Sequence, residues 1–189
     1  ADDVGLTDIN LEAGPETVLV RIPISPSEYY LVANRVHDTN FNGNFDFGDV
    51  DLDGIPDNAD TLLGAEFDYF LTSTTNPPDL TGSGMLVWHV DESVILSSIE
   101  GGGYPNDDAS CKGVDLEEAD GIQDLDRPGG THAFGSYSDT FREGNNTRFG
   151  PMTNPSTSDN GGIPTGIVLD DISLPGVRMY FDIRFERPV

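Results

Sequence analysis

The feature that most constrains this chain is an acidic run from Asp38 to Asp60, DTNFNGNFDFGDVDLDGIPDNAD. Asp or Asn occupies positions 1, 3, 5, 9 and 12 of two successive 12-residue loops, and glycine occupies position 6 of each. Asp49 closes the first loop and opens the second. Asp, Asn and Gly also form ordinary solvated turns. The regular spacing, repeated with its glycine, instead favours loops that curl around a cation.

Calcium is the cation that this spacing predicts. Calcium takes about six to eight oxygen ligands at ~2.3–2.6 Å, and alternate residues of a curled loop can all point at it. We expect two ions that share Asp49. The predicted ligands of the first ion are Asp38, Asn40, Asn42, Asp46 and Asp49, with the backbone carbonyl of Asn44. Those of the second ion are Asp49, Asp51, Asp53, Asp57 and Asp60, with the backbone carbonyl of Ile55.

The flanks of the run decide what kind of calcium loop it is. An EF-hand needs a helix on each side of its loop. Here the loops abut, and Pro56 lies inside the second, so no helix fits between them. DVDLDGIPDNAD resembles the type-3 repeats of thrombospondin and, less closely, dockerin loops. This resemblance implies a rigid structural loop, although the cysteines of the type-3 repeat are absent.

Length and composition predict one β domain. The 189 residues suffice for a single domain with a proper core, so residues 1–189 are treated as one unit in which 38–60 is an inserted segment. Gly 22 and Pro 13 are high numbers, which indicates a loop-rich β protein. Cys111 is the only cysteine, so an internal disulfide is excluded. Its acidic neighbours make it a poor nucleophile.

The net charge of −25 restricts the partners. Nucleic acid and anionic membranes both require clustered basic residues, and this chain has only 9 Lys and Arg. The sequence contains no long apolar run, so membrane insertion is not expected. Weak calcium sites suit the millimolar calcium outside cells, which predicts a secreted or cell-surface protein. Because the sequence starts at Ala1 without Met, we expect a segment of a larger secreted protein with adjoining domains.

Short apolar and β-branched runs predict the fold class. The clearest are 28–35, 84–92, 166–172 and 177–185, the last two forming a closing hairpin. In 177–185 apolar residues alternate, which predicts one buried face. Residues 93–100 suggest a short helix and 114–120 a strand. The long segment 127–165 is either a functional loop or one held by other parts of the chain. The expected architecture is a mostly β, antiparallel, jelly-roll-like β-sandwich with long loops and the inserted tandem calcium loop.

Several of these segments together resemble a known family. EYYLVANR (28–35), GSGMLVWHVDE (82–92), GVDLEEADGIQDLD (113–126) and GIVLDDISLPGVRMYFDI (166–183) occur in this order, and 139–149 fits as well. They resemble the region downstream of the catalytic core in M6 metallopeptidases, the immune inhibitor A group. The resemblance implies a non-catalytic domain of a secreted M6-type peptidase, which supports the protease or presents a surface to a protein or glycan.

No catalytic residue of that family can be placed on this chain. The family's zinc site needs HExxH, whereas His37, His89 and His132 are neither followed by Glu nor spaced by four. Whether the chain belongs to an enzyme is therefore left open. The alternative function is an extracellular adhesion, surface-layer, filament or carbohydrate-binding module without a protease.

Two further groups of residues have more than one interpretation. The second acidic cluster is formed by Glu117, Glu118, Asp120, Asp124 and Asp126. It could be a solvated turn, a less regular cation site, or the carboxylate pair of a hydrolase. His89 and Asp91 share one face of a predicted strand, so they could orient a general base, but a core histidine bonded to a nearby carboxylate or carbonyl is favoured. Tyr29, Tyr30 and Trp88 could stack on a sugar ring, although a core role is favoured.

Overall fold

The computed structural model describes residues 7–12, 19–35, 82–123, 125, 136–176 and 178–186. These residues are mostly strand, with one short helix. The strands are β1 (Thr7–Glu12), β2 (Val20–Pro23), β3 (Glu28–Arg35), β4 (Gly84–Asp91), β5 (Val114–Leu116), β6 (Ile167–Asp170) and β7 (Arg178–Phe185), and the helix is α1 (Glu92–Glu100). The predicted mostly β class is confirmed, and all strand pairs are antiparallel.

A four-stranded sheet in the order β2-β3-β4-β5 contains the two longest apolar runs. β3 and β4 pair along their whole lengths, with Tyr30 opposite His89 and Leu31 opposite Trp88. Seven of the eight residues of β4 are buried, as expected for a central strand covered on both sides. Side chains alternate between the faces, so Tyr30, Val32, Val87 and His89 share the inner face.

A second sheet, in the order β1-β7-β6, contains the closing hairpin. The alternation predicted for its last strand is confirmed in the middle, where Met179, Phe181 and Ile183 are buried and Tyr180 is 44% exposed. Phe185 departs from the pattern, because it lies at the strand end and is 50% exposed. The pairing of Leu169 with Ile183 sets the register of the hairpin.

One hydrophobic cluster contains side chains from both sheets. Tyr30, Val32, Met85 and Val87 come from the four-stranded sheet, and they share the cluster with residues of β6 and β7 such as Phe181. The outer face of the four-stranded sheet has a smaller cluster, in which half-buried Trp88 packs on Leu86 and Leu116. The inner cluster thus joins the two sheets through apolar contact, which is the main stabilising term in a domain of this size.

The long segment 136–165 has little regular structure, yet single β-bridges fix it to both sheets. Phe141 bridges to Met85 of β4, and Phe149 bridges to Leu169 of β6. Both phenylalanines are fully buried, with ring centroids 5.4 Å apart. Of the two alternatives for this loop, the bridges show that 136–165 is held by other parts of the chain.

The connection between β4 and β5 carries the helix. Asp91 caps α1, and Gly101 ends it by donating to the carbonyl of Ser97. No residue of α1 is fully buried. The strand predicted over 114–120 is too long: it ends at Leu116, because the chain then turns so that the amide of Ala119 donates to the carbonyl of Asp139 at 3.0 Å.

Candidate metal centre

The predicted double calcium loop lies outside the described residues. This holds for all eleven proposed ligands, namely Asp38, Asn40, Asn42, Asn44, Asp46, Asp49, Asp51, Asp53, Ile55, Asp57 and Asp60. The insertion at 38–60 and its two ions therefore stay predictions from spacing.

Within the described part of the chain, three carboxylates form a cluster that could hold a metal ion. Glu118, Asp120 and Asp139 each offer one carboxylate oxygen, and these oxygens lie within 4.8 Å of one another. Glu118 is 1% exposed and Asp139 is fully buried. Ionised carboxylates at this separation repel one another, and burial weakens the screening by water. A cation bound among them would offset that repulsion.

Two separate segments bring the three side chains together. Glu118 and Asp120 lie in the turn after β5, where the amide of Gly121 donates to the carbonyl of Glu118 at 2.8 Å. Gly121 has φ +71°, and a Cβ there would collide with the side-chain amide of Asn154, so the turn requires glycine. Asp139 precedes the bridge of Phe141 to β4. The cluster thus links the end of β5 to the 136–141 segment.

Nearby donors hold each carboxylate in place. The backbone amide and hydroxyl of Ser136 donate to Asp139 at 2.5 and 2.8 Å. The amide of Ile122 donates to Asp120 Oδ1 at 2.8 Å, and the amide of Leu125 donates to Glu118 Oε1 at 3.3 Å. The cluster is therefore oriented by the fold and supplies only oxygen ligands.

The structure divides the acidic cluster predicted from the sequence. It brings Glu118 and Asp120 together but directs Glu117 toward His89 instead. Asp124 and Asp126 lie outside the described residues. Asp139 was missed as a member, because nothing in its local spacing suggests a metal ligand.

His89 lies between two glutamates on the inner face of the four-stranded sheet. Its Nε2 is 2.9 Å from Glu28 Oε1 of β3, and its Nδ1 is 3.4 Å from Glu117 Oε1, just beyond β5. His89, Glu28 and Glu117 are each 7–8% exposed. The prediction of a core histidine bonded to a carboxylate is confirmed. Asp91 is not its partner, because Asp91 instead accepts hydrogen bonds from Ser93 and Val94 at the start of α1.

Burial and the neighbouring glutamates shift the pKa of His89 in opposite directions. Burial lowers the pKa of His89, but hydrogen bonds and charge from Glu117 and Glu28 outweigh it, so the pKa is raised above 6.5. Burial raises the pKa of Glu117, and His89 only partly offsets this effect. The pKa of Tyr30, whose ring is 4.9 Å from that of His89, is raised by burial and by the nearby acids. His89 is thus held toward its protonated form.

Asn160 connects this polar group to the long loop. Its backbone amide donates to Glu28 Oε1 at 2.6 Å, so this oxygen accepts bonds from both Asn160 and His89. Its side-chain amide donates to Asp91 Oδ2 at 3.1 Å and to the carbonyl of Lys112 at 3.0 Å. One asparagine therefore ties the loop to the end of β4 and to the segment before β5.

The aromatic residues divide between core and surface. Tyr30 is fully buried, which confirms the core prediction for that residue, whereas Trp88 is half-buried on the outer face. Tyr29 is also half-buried, with the guanidinium of Arg21 4.0 Å from its ring centroid and its hydroxyl donating to Glu92 at 3.1 Å. Cys111 is partly buried, and burial followed by nearby acids raises the pKa of its thiol, as expected for an unreactive cysteine.

A cavity of about 370 Å³ lies between the long loop and the end of β7. It is lined by Pro23, Ile24, Asp159, Ile163, Pro164, Thr165, Ile167 and Phe185. Both polar and apolar groups line it, and its one carboxylate is that of Asp159, whose Oδ1 accepts a hydrogen bond from the amide of Ile163 at 2.8 Å. The cavity does not bring together the carboxylate pair that a glycoside hydrolase requires.

No protein-family model, curated protein or solved structure matches the chain. Among the described residues, no helix is both long and apolar enough to cross a membrane.

Proposed function

We propose that this chain is a calcium-stabilised, non-catalytic β-sandwich domain of a secreted M6-type metallopeptidase. In this role it supports the adjoining protease or presents a binding surface at the cell exterior. The observation that carries the proposal is the oxygen-only cluster of Glu118, Asp120 and Asp139, which lies where two segments of an acidic domain meet.

Calcium is the ion that best suits these ligands. Carboxylate oxygens bind hard cations, whereas zinc in proteins favours histidine and cysteine. Magnesium demands near-ideal octahedral geometry, which clusters on two joined turns seldom provide. The tandem loop at 38–60 supplies the same ligand chemistry in a regular pattern. Calcium at both places would offset part of the net charge of −25 and add binding free energy to folding.

The shared apolar cluster supports the sandwich. Residues of β3 and β4 on one sheet and of β6 and β7 on the other belong to a single buried cluster. Such a core is what two packed antiparallel sheets require.

The positions of the family-like segments support the M6 relation. EYYLVANR coincides with β3, and GMLVWHVD coincides with β4. The 166–183 segment contains β6 and most of β7. Three of the five family-like segments therefore contain core strands, whereas 113–126 and 139–149 lie mostly in turns and loop.

A thermal melt with and without EGTA tests the calcium stabilisation. Removal of calcium is expected to lower Tm by several degrees, since about 1 kcal/mol shifts Tm by about 2–4 °C in a domain of this size. Calcium, but not an equal concentration of magnesium, is expected to restore it. An unchanged Tm in EGTA would overturn the proposal.

A pair of variants locates the effect. Asp139→Asn removes one charge from the cluster, and it is expected to reduce the change in Tm that EGTA causes. Asp108→Asn is the matched control, because Asp108 accepts similar bonds from Ser110 in an exposed turn. The parent protein is tested separately by the reading frame before Ala1, where a zinc-binding HExxH helix is expected.

A further inference from the structure

The inner face of the four-stranded sheet changes from apolar to ionisable along its length. Val32 and Val87 occupy the apolar part, and Tyr30 marks the boundary. Beyond it, the pairing of His89 with Tyr30 on one side and Asp115 on the other places His89 at the centre of the ionisable part. A titratable side chain therefore bonds across three adjacent strands.

The two ring nitrogens of His89 face two acceptors. A neutral imidazole has one N–H, so it can donate to only one glutamate. The imidazolium donates from both nitrogens, and while both glutamates are ionised it is the form of His89 that can bond Glu28 and Glu117 together. The distance to Glu28 is that of a normal hydrogen bond, whereas the 3.4 Å to Glu117 is long. Loss of the proton therefore affects the Glu117 contact first.

Among the described residues, the Glu28 contact has a second support that the Glu117 contact lacks. Glu28 Oε1 also accepts the amide of Asn160, so β3, β4 and the loop stay joined when His89 is neutral. Glu117 follows the three-residue edge strand β5, and its amide donates to the carbonyl of Val87 at 2.9 Å. A short edge strand has few other bonds to resist opening.

We propose that His89 is a protonation-controlled latch, which holds the β5 edge against β4 when ionised and releases it when neutral. The ionisable groups around His89 are Glu28 and Tyr30 on β3, Asp91 on β4, Asp115 on β5, Glu117 after β5, Lys112 before β5 and Asp159 on the long loop. Lys112 is itself paired at 2.7 Å with Asp115, the residue opposite His89 on β5, and its charge also acts on Glu117.

The sign of the effect follows from the direction in which the pKa moves. The pKa of His89 in the folded domain is raised above 6.5, because the two glutamates outweigh burial. A group whose pKa is raised on folding stabilises the folded form fully below its unfolded pKa, and this stability is lost as pH rises through the folded value. The latch is therefore closed below the ordinary histidine pKa and opens as the pH rises through the raised pKa of His89.

Hydrogen exchange measured by NMR tests the latch at constant calcium. The Glu117 amide reports on β5, and the Leu169 amide, which donates to Phe149 at 2.8 Å, reports on the other sheet. After correction for intrinsic exchange, the protection of Glu117 is expected to fall severalfold as the pH is raised from 6 to 9, while that of Leu169 stays level. Equal loss at both amides, or no loss at Glu117, would overturn the proposal.

Two further measurements separate the latch from a general pH effect. Glu117→Gln removes the carboxylate that lies 3.4 Å from His89 Nδ1. The hydrogen-exchange protection of the amide at residue 117 is therefore expected not to change with pH. His37→Gln and His132→Gln are the matched controls and are expected to keep the wild-type decline. In the wild-type protein, the ring of His89 is expected to titrate above its ordinary pKa of 6.5. If it titrates at or below that value, His89 is not the latch.

Discussion

Tyr30 and Phe149 meet edge to face in the core, with ring centroids 5.1 Å apart and an angle of 83° between the rings. Tyr30 belongs to β3, whereas Phe149 bridges to β6 of the other sheet. The Tyr30 hydroxyl also donates to the carbonyl of Ser158 at 2.8 Å. This pair therefore joins both sheets and the long loop through one contact, which makes Tyr30 a sensitive site for mutation.

Tyr30→Phe is expected to lower the free energy of unfolding by about 1–2 kcal/mol, because the ring contact survives while the Ser158 carbonyl loses its donor. Tyr30→Ala is expected to cost about 3–5 kcal/mol, since it also leaves a cavity. Urea denaturation measures both. Tyr180→Phe is the control: Tyr180 is 44% exposed, and its change is expected to stay within about 0.5 kcal/mol. Equal effects at Tyr30 and Tyr180 would contradict this role of the hydroxyl.

Gly84 lies where β4 touches the segment before Phe141. A Cβ at this position would lie 2.7 Å from Thr140 Cβ and 3.0 Å from the Phe141 carbonyl. Gly84→Ala is therefore expected to cost about 1–3 kcal/mol through overpacking. Gly150→Ala is the matched control, because its Cβ would meet Val168 at 3.5 Å, an ordinary contact. Chemical denaturation that ranks the control as the more damaging change would refute the clash.

Asp91 caps α1, and Asp91→Ala is expected to cost about 0.5–2 kcal/mol. Burial raises the pKa of Asp91, but bonds from Ser93, Asn160 and Val94 lower it below 3.8 overall. This stabilisation is present above pH 3.8 and is lost as the pH falls. The difference in unfolding free energy between wild type and variant should therefore shrink in acid.

Two variants test whether the stability lost in Asp91→Ala comes from the capping of α1. Asp91→Asn is expected to retain most of the stability at neutral pH, because asparagine is also a good cap. Asp108→Ala removes similar bonds to Ser110 in an exposed turn and is expected to have no measurable effect. If the difference in unfolding free energy between wild type and Asp91→Ala stays constant down to pH 2, the cap is not ionised.

Asp49 is predicted to bind both ions of the tandem loop, so Asp49→Ala should weaken two calcium sites. Asp38→Ala is the matched variant, because Asp38 belongs to the first predicted loop only. Isothermal titration of the calcium-free protein is expected to show two sites weakened in the first variant and one in the second. If Asp49→Ala affects only one site, the residue is not shared.

The central strands could be predicted because burial on both faces leaves a clear mark on composition. The apolar runs around Tyr30 and Trp88 and the alternation through Phe181 each identify a strand from neighbouring residues alone. The helix predicted over 93–100 spans Glu92–Glu100 and ends at Gly101. Local pattern was thus sufficient wherever local burial determined the structure.

The polar sites could not be predicted, because their members are distant in sequence. Glu28 and His89 are 61 residues apart, and only the register of β3 against β4 brings them together. Asp139 likewise reaches Glu118 through the Phe141 bridge. The strand predicted over 114–120 was too long for the same reason, since its alternating pattern continued into residues that turn to meet Asp139.

The segment that connects β4 to β5 leaves the sheet and returns to it at neighbouring residues. The amide of Asp91 donates to the carbonyl of Gly113 at 2.9 Å, and a Cβ at Gly102 would have open space around it. Gly102 is thus a natural splice point: a guest protein with adjacent ends, such as a fluorescent reporter, could be inserted there while both strands keep their partners. Because this insertion lies in the connection that leads into β5, such a reporter would convert a change at the β5 edge into an optical signal.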